Sequence, residues 1–249
     1  GSEMCIRDRR AALRQKRYVW YHPWHWITGA GRLEEEEVEA DRFAIRRVYL
    51  DRGYLDVQVD PPEIEFIDAR RLRITWRIQE GERYQVASVA IRGATRFSEE
   101  ELRPLIRLAP GDIASVRVFD EAVQAIGDYY GDRGYARAGA RVVTRADPAT
   151  RTVAIELEVQ EGAPTRLRDV RIRGNTVTKD HVIRRELAVA PGELYHRGRI
   201  RTSERRLMNL GYFSRVETIL EPTPDPAQTD VTFDVEEQRM GCLLYTSPS

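Results

Sequence analysis

The sequence predicts an α+β protein of tandem modules. Each module runs β-α-α-β-β, with two helices covering one face of a three-stranded mixed sheet. Three observations predict it. A glycine-aromatic mark recurs as Arg52-Gly53-Tyr54, Arg133-Gly134-Tyr135 and Leu210-Gly211-Tyr212. Glu80-Gly81-Glu82 returns in the same phase as Glu161-Gly162-Ala163. Ile91-Arg92-Gly93 returns in that phase too, as Ile172-Arg173-Gly174. The period is roughly 80 residues, the size of a small domain. The last interval between glycine-aromatic marks is slightly shorter than the first.

The second module, 80–160, shows each element. Tyr84–Ile91 reads as a strand that Gly93 ends. Ser98 and Glu101 have capping-box spacing, opening a short helix through Leu102, Leu105 and Ile106. Ala109-Pro110-Gly111 breaks it. Asp120 is expected to cap a second helix carrying Ala122, Ile126, Tyr129 and Tyr130, stopped near Gly134. Arg141–Thr144 and Thr152–Val159 then read as strands around the turn Ala146–Thr150. Val153, Ile155, Leu157 and Val159 share one strand face.

The third module, 161–238, repeats this order. Leu167–Ile172 is the first strand and Gly174-Asn175-Thr176 its turn. Thr178 is expected to cap a helix with Val182, Ile183 and Leu187. A second helix is expected from Arg201 to Leu210, then a strand from Phe213 to Leu220. Val231, Phe233 and Val235 alternate in the closing strand.

The first module, 11–79, reads as partial. Leu33–Arg52 matches the second helix, with Val38, Phe43, Ile45, Val48 and Tyr49 as apolar positions. Val57 and Val59 begin a strand and Leu72–Ile78 closes the sheet, but no first strand or first helix precedes them. The ends, 1–10 and 239–249, lack periodicity and are expected to be non-native tails on an internal fragment.

Composition narrows the function classes. The 249 residues allow two or three small domains, and 40 Lys+Arg balance 40 Asp+Glu. No cationic excess points to nucleic acid. The two cysteines, Cys5 and Cys242, leave the modules without a disulfide framework or thiolate zinc site. No apolar run approaches the roughly 20 residues of a membrane-spanning helix. No nucleophile elbow, phosphate loop or dinucleotide fingerprint occurs. His22 and His25 are spaced for a metal but lack a matching third ligand, and Glu34–Glu37 reads as an acidic helix opening. His181 and His196 read as surface residues in a first helical turn and an inter-helix loop. Asp51-Arg52 and Asp132-Arg133 read as helix-end residues rather than catalytic pairs. Neither a cofactor nor catalysis is expected.

A three-stranded sheet has two edges. The strand after each glycine-aromatic mark, Arg137–Thr144 and Phe213–Leu220, is expected at an exposed edge, and the closing strand in the centre. Such an edge is a managed liability or a rail for another extended chain. Arg137, Val142, Val143, Val216 and Thr218 are therefore the candidate partner-binding positions. Gly53, Tyr54, Gly93, Gly134, Tyr135, Gly174, Asn175, Gly211 and Tyr212 form the structural signature, the glycines serving tight or positive-φ turns.

This element order, with its Gly-Tyr punctuation and Glu-Gly to Arg-Gly-Asn unit, resembles POTRA domains. Trp26–Leu33, Glu39-Ala40-Asp41 and Tyr49–Tyr54 resemble the third POTRA domain of the outer-membrane β-barrel assembly family. The second module takes the place of the fourth. Gly174–Leu187 and Leu207–Phe213 resemble the fifth, and Val235–Gln238 is similar to the join where that family's barrel begins. The resemblance covers residues 18–238. It implies a non-enzymatic region at the periplasmic face of the bacterial outer membrane, ahead of a C-terminal membrane β-barrel. It implies binding of unfolded outer-membrane protein precursors and accessory outer-membrane lipoproteins, with strand addition as the mode. Arg184 matches a family arginine that engages a lipoprotein; the family's acidic partner position is Pro191 here. The alternatives are the POTRA region of a secretion, translocation-and-assembly or organelle import pore, and a repeat-bearing enzyme. The Thr28–Gly31 insert favours the assembly family.

Overall fold

The structure, a computed structural model, describes residues 35–68 and 71–238. Both cysteines, the expected tails, His22, His25 and Trp26–Leu33 lie outside the described residues. So does the stretch where the first module's opening strand and helix are expected to be missing.

The first module contributes α1 (Glu35–Leu50), β1 (Gln58–Val59), β2 (Glu63–Asp68), β3 (Arg71–Thr75) and β4 (Ile78–Gln79). Its strands pair as two antiparallel ladders, β1 with β4 and β2 with β3. The second module holds β5 (Gln85–Arg92), α2 (Glu99–Leu102), a 3-10 turn (Arg103–Leu105), α3 (Val116–Gly131), β6 (Gly139–Asp147) and β7 (Thr152–Gln160). The third holds β8 (Arg166–Arg173), α4 (Asp180–Arg184), α5 (Arg197–Asn209), β9 (Phe213–Pro222) and β10 (Gln228–Glu237). The two complete sheets are ordered β5-β7-β6 and β8-β10-β9, so the closing strand is central in each. In the third module β8 runs parallel and β9 antiparallel to β10.

By compactness the chain divides into two units. One takes the described residues up to Ile91 with Ile106–Ala122 and Val142–Leu157; the other takes Arg92–Leu105, Val123–Arg141 and the described residues from Glu158 on. The division cuts through the second module and leaves each junction between successive modules inside one unit.

The three long helices bury equivalent positions. These are Val38, Asp41, Ile45 and Tyr49 in α1, Phe119, Ala122, Ile126 and Tyr130 in α3, and Ile200, Ser203 and Leu207 in α5. The spacing three, four, four makes one buried, mostly apolar stripe on a helix of 3.6 residues per turn. Helix α5 has 13 residues against 16 in α3. About one turn is missing, with no counterpart of Tyr130, which accounts for the shorter interval before the last glycine-aromatic mark. Phe43, expected in the stripe, is 66% exposed. It stands two residues from Ile45, roughly 200° round the helix.

Two expected caps are corrected. Helix α3 starts at Val116, so Asp120 lies inside it; Ser115 precedes it, its carbonyl accepting the Phe119 amide at 3.1 Å. The cap of α4 is Lys179, without a side-chain bond; Thr178 stands one residue earlier, in the loop held by Glu237, to which its amide donates at 2.6 Å. Helix α5 starts at Arg197, not Arg201, and His196 caps it, Nδ1 accepting the Arg199 amide at 3.4 Å. The capping box of Ser98 and Glu101 is present in full.

In β7, Val153, Ile155, Leu157 and Val159 are all buried on one face. In β10, Val231, Phe233 and Val235 are buried as expected, but Asp230 and Thr232 on the opposite face are buried too. Long side chains cover that face. Asp230 accepts from Arg168 Nε at 2.8 Å and Arg171 Nη2 at 3.0 Å. The Arg168 guanidinium holds the Asp230 carboxyl below its usual range.

Candidate functional site

Strands β6 and β9 each have a strand partner on one side only among the described residues. The other edge strands, β5 and β8, are partly closed by the loop ahead of each long helix. Val86 donates its amide to Asp112 at 2.8 Å and accepts from Gly111 at 2.8 Å. Leu167 repeats the pattern one module on, donating to Glu193 at 2.8 Å and accepting from Gly192 at 2.6 Å. The open edges are thus those of the strands that follow the glycine-aromatic marks.

The candidate residues distribute unevenly around these edges. Val142 and Val143 lie in β6 and are half-buried. Arg137 is exposed but precedes β6, in the turn after Tyr135, so it is not part of the strand edge. Val216 and Thr218 lie in β9 opposite Val235 and Phe233. Val216 packs on the third core and the Thr218 hydroxyl is buried. An added strand at this edge would meet main chain, with Ile219 (37% exposed) and Leu220 (39%) beside it. On the outer face of β6 and β7, Arg141 Nε meets Glu158 at 2.5 Å and Arg145 meets Glu156 at 3.8 Å. Such charged pairs on an edge strand discourage indiscriminate pairing.

Arg184 is half-exposed on α4. Its Nε meets Asp180 Oδ2 at 2.5 Å and its Nη1 donates to the Val170 carbonyl at 3.3 Å. Pro191 is exposed.

The signature residues build turns and anchors. Gly53, Gly134 and Gly211 have φ of +90°, +99° and +71°. Tyr54 meets Tyr49 edge-on at 5.8 Å, and Tyr135 meets Phe97 at 5.9 Å and Tyr130 at 5.7 Å. After Gly93 the loop is held by Glu161, which accepts the Thr95 and Arg96 amides at 2.7 Å each and the Tyr130 hydroxyl at 2.8 Å. Burial raises the Glu161 carboxyl, but hydrogen bonds from Thr95, Arg96 and Tyr130 together outweigh it and hold it at about 2. Glu237 does the same for the loop after Gly174. It takes the Thr176 hydroxyl at 2.6 Å and the Val177 amide at 3.0 Å, in addition to Thr178. These bonds, the Thr176 hydroxyl foremost, hold its carboxyl at about 2. In the same loop Asn175 Nδ2 donates to the Thr178 carbonyl at 3.0 Å.

Beside this loop an open cleft of about 830 Å³ is lined by Val177, Val182, Tyr212 and Val235. In the second module the position equivalent to Thr178 is Phe97, whose ring meets Tyr129, Tyr130 and Tyr135 edge-on. The third module lacks both that ring and the helical turn bearing Tyr129 and Tyr130. Val177 is left 86% exposed and Tyr212 42%.

Asp51 and Asp132 stand at helix ends as expected, and each serves the following module. Asp51 accepts the Arg117 amide at 2.9 Å and Asp132 the Gly198 amide at 2.7 Å, both in the first turn of the next long helix. The repeated Asp-Arg-Gly-Tyr string carried the signal, but the partners stand 66 residues away. At the same junctions the Gly53 carbonyl accepts the Tyr84 amide and the Gly134 carbonyl the Thr165 amide, each at 2.8 Å.

Among the described residues no group of three His, Cys, Asp or Glu could hold a metal. No helix among them is long and apolar enough to cross a membrane.

The POTRA family model, described as surface antigen variable number repeat, matches residues 24–81, 84–162 and 165–238. A Treponema pallidum protein is 33% identical over 214 residues, 84% of this chain and 26% of that protein. The outer membrane protein assembly factor BamA of Nitratidesulfovibrio vulgaris is 28% identical over 88% of this chain and 28% of its own length. The chain thus spans between a quarter and a third of these curated relatives. A crystal structure of POTRA domains 3–5 of Haemophilus influenzae BamA aligns with a TM-score of 0.80 at 26% identity, covering 94% of this chain and 92% of that one.

Proposed function

The chain belongs to the POTRA repeat family, and from that premise we propose that it is the periplasmic scaffold region of an outer-membrane protein assembly factor. It binds unfolded outer-membrane protein precursors by strand addition, docks accessory outer-membrane lipoproteins, and carries out no chemistry of its own. In the whole protein it stands at the periplasmic face of the outer membrane, ahead of a membrane β-barrel. Its repeats take the limits 11–79, 80–160 and 161–238.

The observation that carries this reading is the asymmetry of the sheet edges. Main-chain hydrogen bonds from a loop close the start of β5 and β8, while among the described residues β6 and β9 have main-chain strand pairing on one side only and no such loop on the other. An extended client pairs with such an edge through its own main chain, so binding tolerates many sequences. Val142, Val143, Val216 and Thr218 set the edges, and Arg184 is the lipoprotein contact.

A photo-crosslinking residue placed singly at Thr144 in β6, Glu217 in β9 and Ser88 in β5 tests it. Unfolded outer-membrane precursor is diluted from denaturant onto the folded chain. Crosslinks concentrated at Thr144 and Glu217 support strand addition; equal yields at Ser88, or none at any site, overturn it. Arg184→Glu, with folding checked by circular dichroism, tests the lipoprotein contact by loss of capture from solubilised envelope.

A further inference from the structure

The two junctions between successive modules share one set of contacts, with one inversion. Asp51 and Asp132 accept an amide of the next long helix, and Gly53 and Gly134 accept the amide of Tyr84 and Thr165. A Cβ on Gly53 would stand 2.8 Å from the Ile113 side chain, and one on Gly134 2.7 Å from Leu194, so an equivalent apolar residue closes over each glycine. The ion pair is reversed. At the first junction Arg47 Nη2 meets Asp120 Oδ2 at 2.5 Å. At the second, Asp128 meets Arg201, Oδ2 to Nη1 at 2.7 Å and Oδ1 to Nη2 at 2.9 Å. Arg47 and Asp128 hold equivalent positions in successive modules, and so do Asp120 and Arg201.

We infer that this inverted pair is a pairing code that fixes which module docks on which. The shared contacts are main-chain bonds, a capping aspartate and an apolar contact, and they fit any end of one module to any start of another. Tandem homologous domains are prone to wrong docking and to exchange between copies. The charges separate right from wrong. The end of the first module on the start of the third would set Arg47 against Arg201. It would also meet Arg197, whose Nη1 holds Asp128 at 3.2 Å in the second junction and whose equivalent in the first is Val116. The end of the second module on the second module of another copy would set Asp128 against Asp120. Half-exposed pairs contribute little to stability by themselves. Discrimination comes from the difference between an attractive and a repulsive contact at one place.

The test uses the full chain and reads two quantities. One is amide exchange at Tyr84 and Thr165, the main-chain bonds of the two junctions. The other is the fraction of dimer after refolding at high concentration. Asp120→Arg alone is expected to speed Tyr84 exchange about tenfold and leave Thr165 unchanged. Adding Arg47→Asp restores Tyr84 protection, because the first junction then has the polarity of the second. That double variant erases the code, since Asp128 of one copy now matches the guanidinium that Asp120→Arg introduces in another, and several-fold more dimer is expected. Inverting the second junction as well, with Asp128→Arg, Arg201→Asp and Arg197→Val, the last giving it the residue of the first junction, returns the dimer to the starting level. Failure of Arg47→Asp to restore Tyr84 protection overturns the pairing. Equal dimer fractions in the double, fully inverted and unaltered chains overturn the code.

Discussion

The carbonyl oxygen of Val235 lies 2.0 Å from the point where a Cβ on Gly174 would stand. Gly174 also has φ of +88°, a region that side chains rarely enter. Gly174→Ala therefore adds a main-chain clash to backbone strain. We expect a loss of about 2–4 kcal/mol in chemical denaturation of the full chain. Gly192→Ala has a similar φ of +86° with nothing within 4 Å of the added Cβ. It isolates the strain, at about 1 kcal/mol.

Glu237 gives the third module an acid limit. Its carboxyl is ordinarily at 4.5 and is held at about 2 by the Thr176 hydroxyl and the amides of the loop. The folded value is depressed, so the contribution is complete above the ordinary value and is lost as pH falls through the folded one. Denaturation monitored by the third module's amides should show stability falling between about pH 4.5 and 2. Glu237→Gln should flatten that dependence while lowering stability at neutral pH; an unchanged slope would refute the anchor role.

Asp132 stabilises a helix in another module. Asp132→Ala removes the acceptor of the Gly198 amide, a cap worth about 1 kcal/mol. Faster amide exchange is expected in the first turn of α5, with the body of α3 little changed. Asp51→Ala should act likewise on Arg117 in α3. Loss confined to the aspartate's own helix would contradict this.

Phe97 plugs the second module where the third is open. Phe97→Ala removes three edge-on aromatic contacts. It should cost about 2–3 kcal/mol. Binding of a hydrophobic dye to the second module should rise, as expected for a cleft like that at Val177 and Tyr212. No change in dye binding would mean that the surrounding side chains collapse into the space.

Much of the fold was legible because its signals are local. The alternation of β7 and the capping box at Ser98 follow from residues a few positions apart, the period from the recurrence of short local marks, and the central place of the closing strand from its regular apolar alternation. Readings that failed had a competing polar partner at long range. Thr178 has the composition of a cap, but it is drawn into the loop held by Glu237, 59 residues away, and the helix starts one residue later, after Lys179. Asp120 reads as a cap, yet the helix begins a turn earlier and its carboxylate meets Arg47, 73 residues back. Of the candidate site, the strands were legible but not which way their side chains face. Val216 and Thr218 turn toward the core side, and Arg137 falls short of β6.

The type of module, its strands and helices, and its phase along the chain could all be read without coordinates. Each of these rests on hydrophobic period and turn chemistry, which are written within a few residues. Which main-chain groups close the opposite edges, those of β5 and β8, could not, and it took the folded molecule to decide it. That choice depends on the loops at Asp112 and Glu193 folding back onto Val86 and Leu167 through main-chain hydrogen bonds. Main-chain groups are the same in nearly every residue, so no side-chain pattern records where those bonds will form.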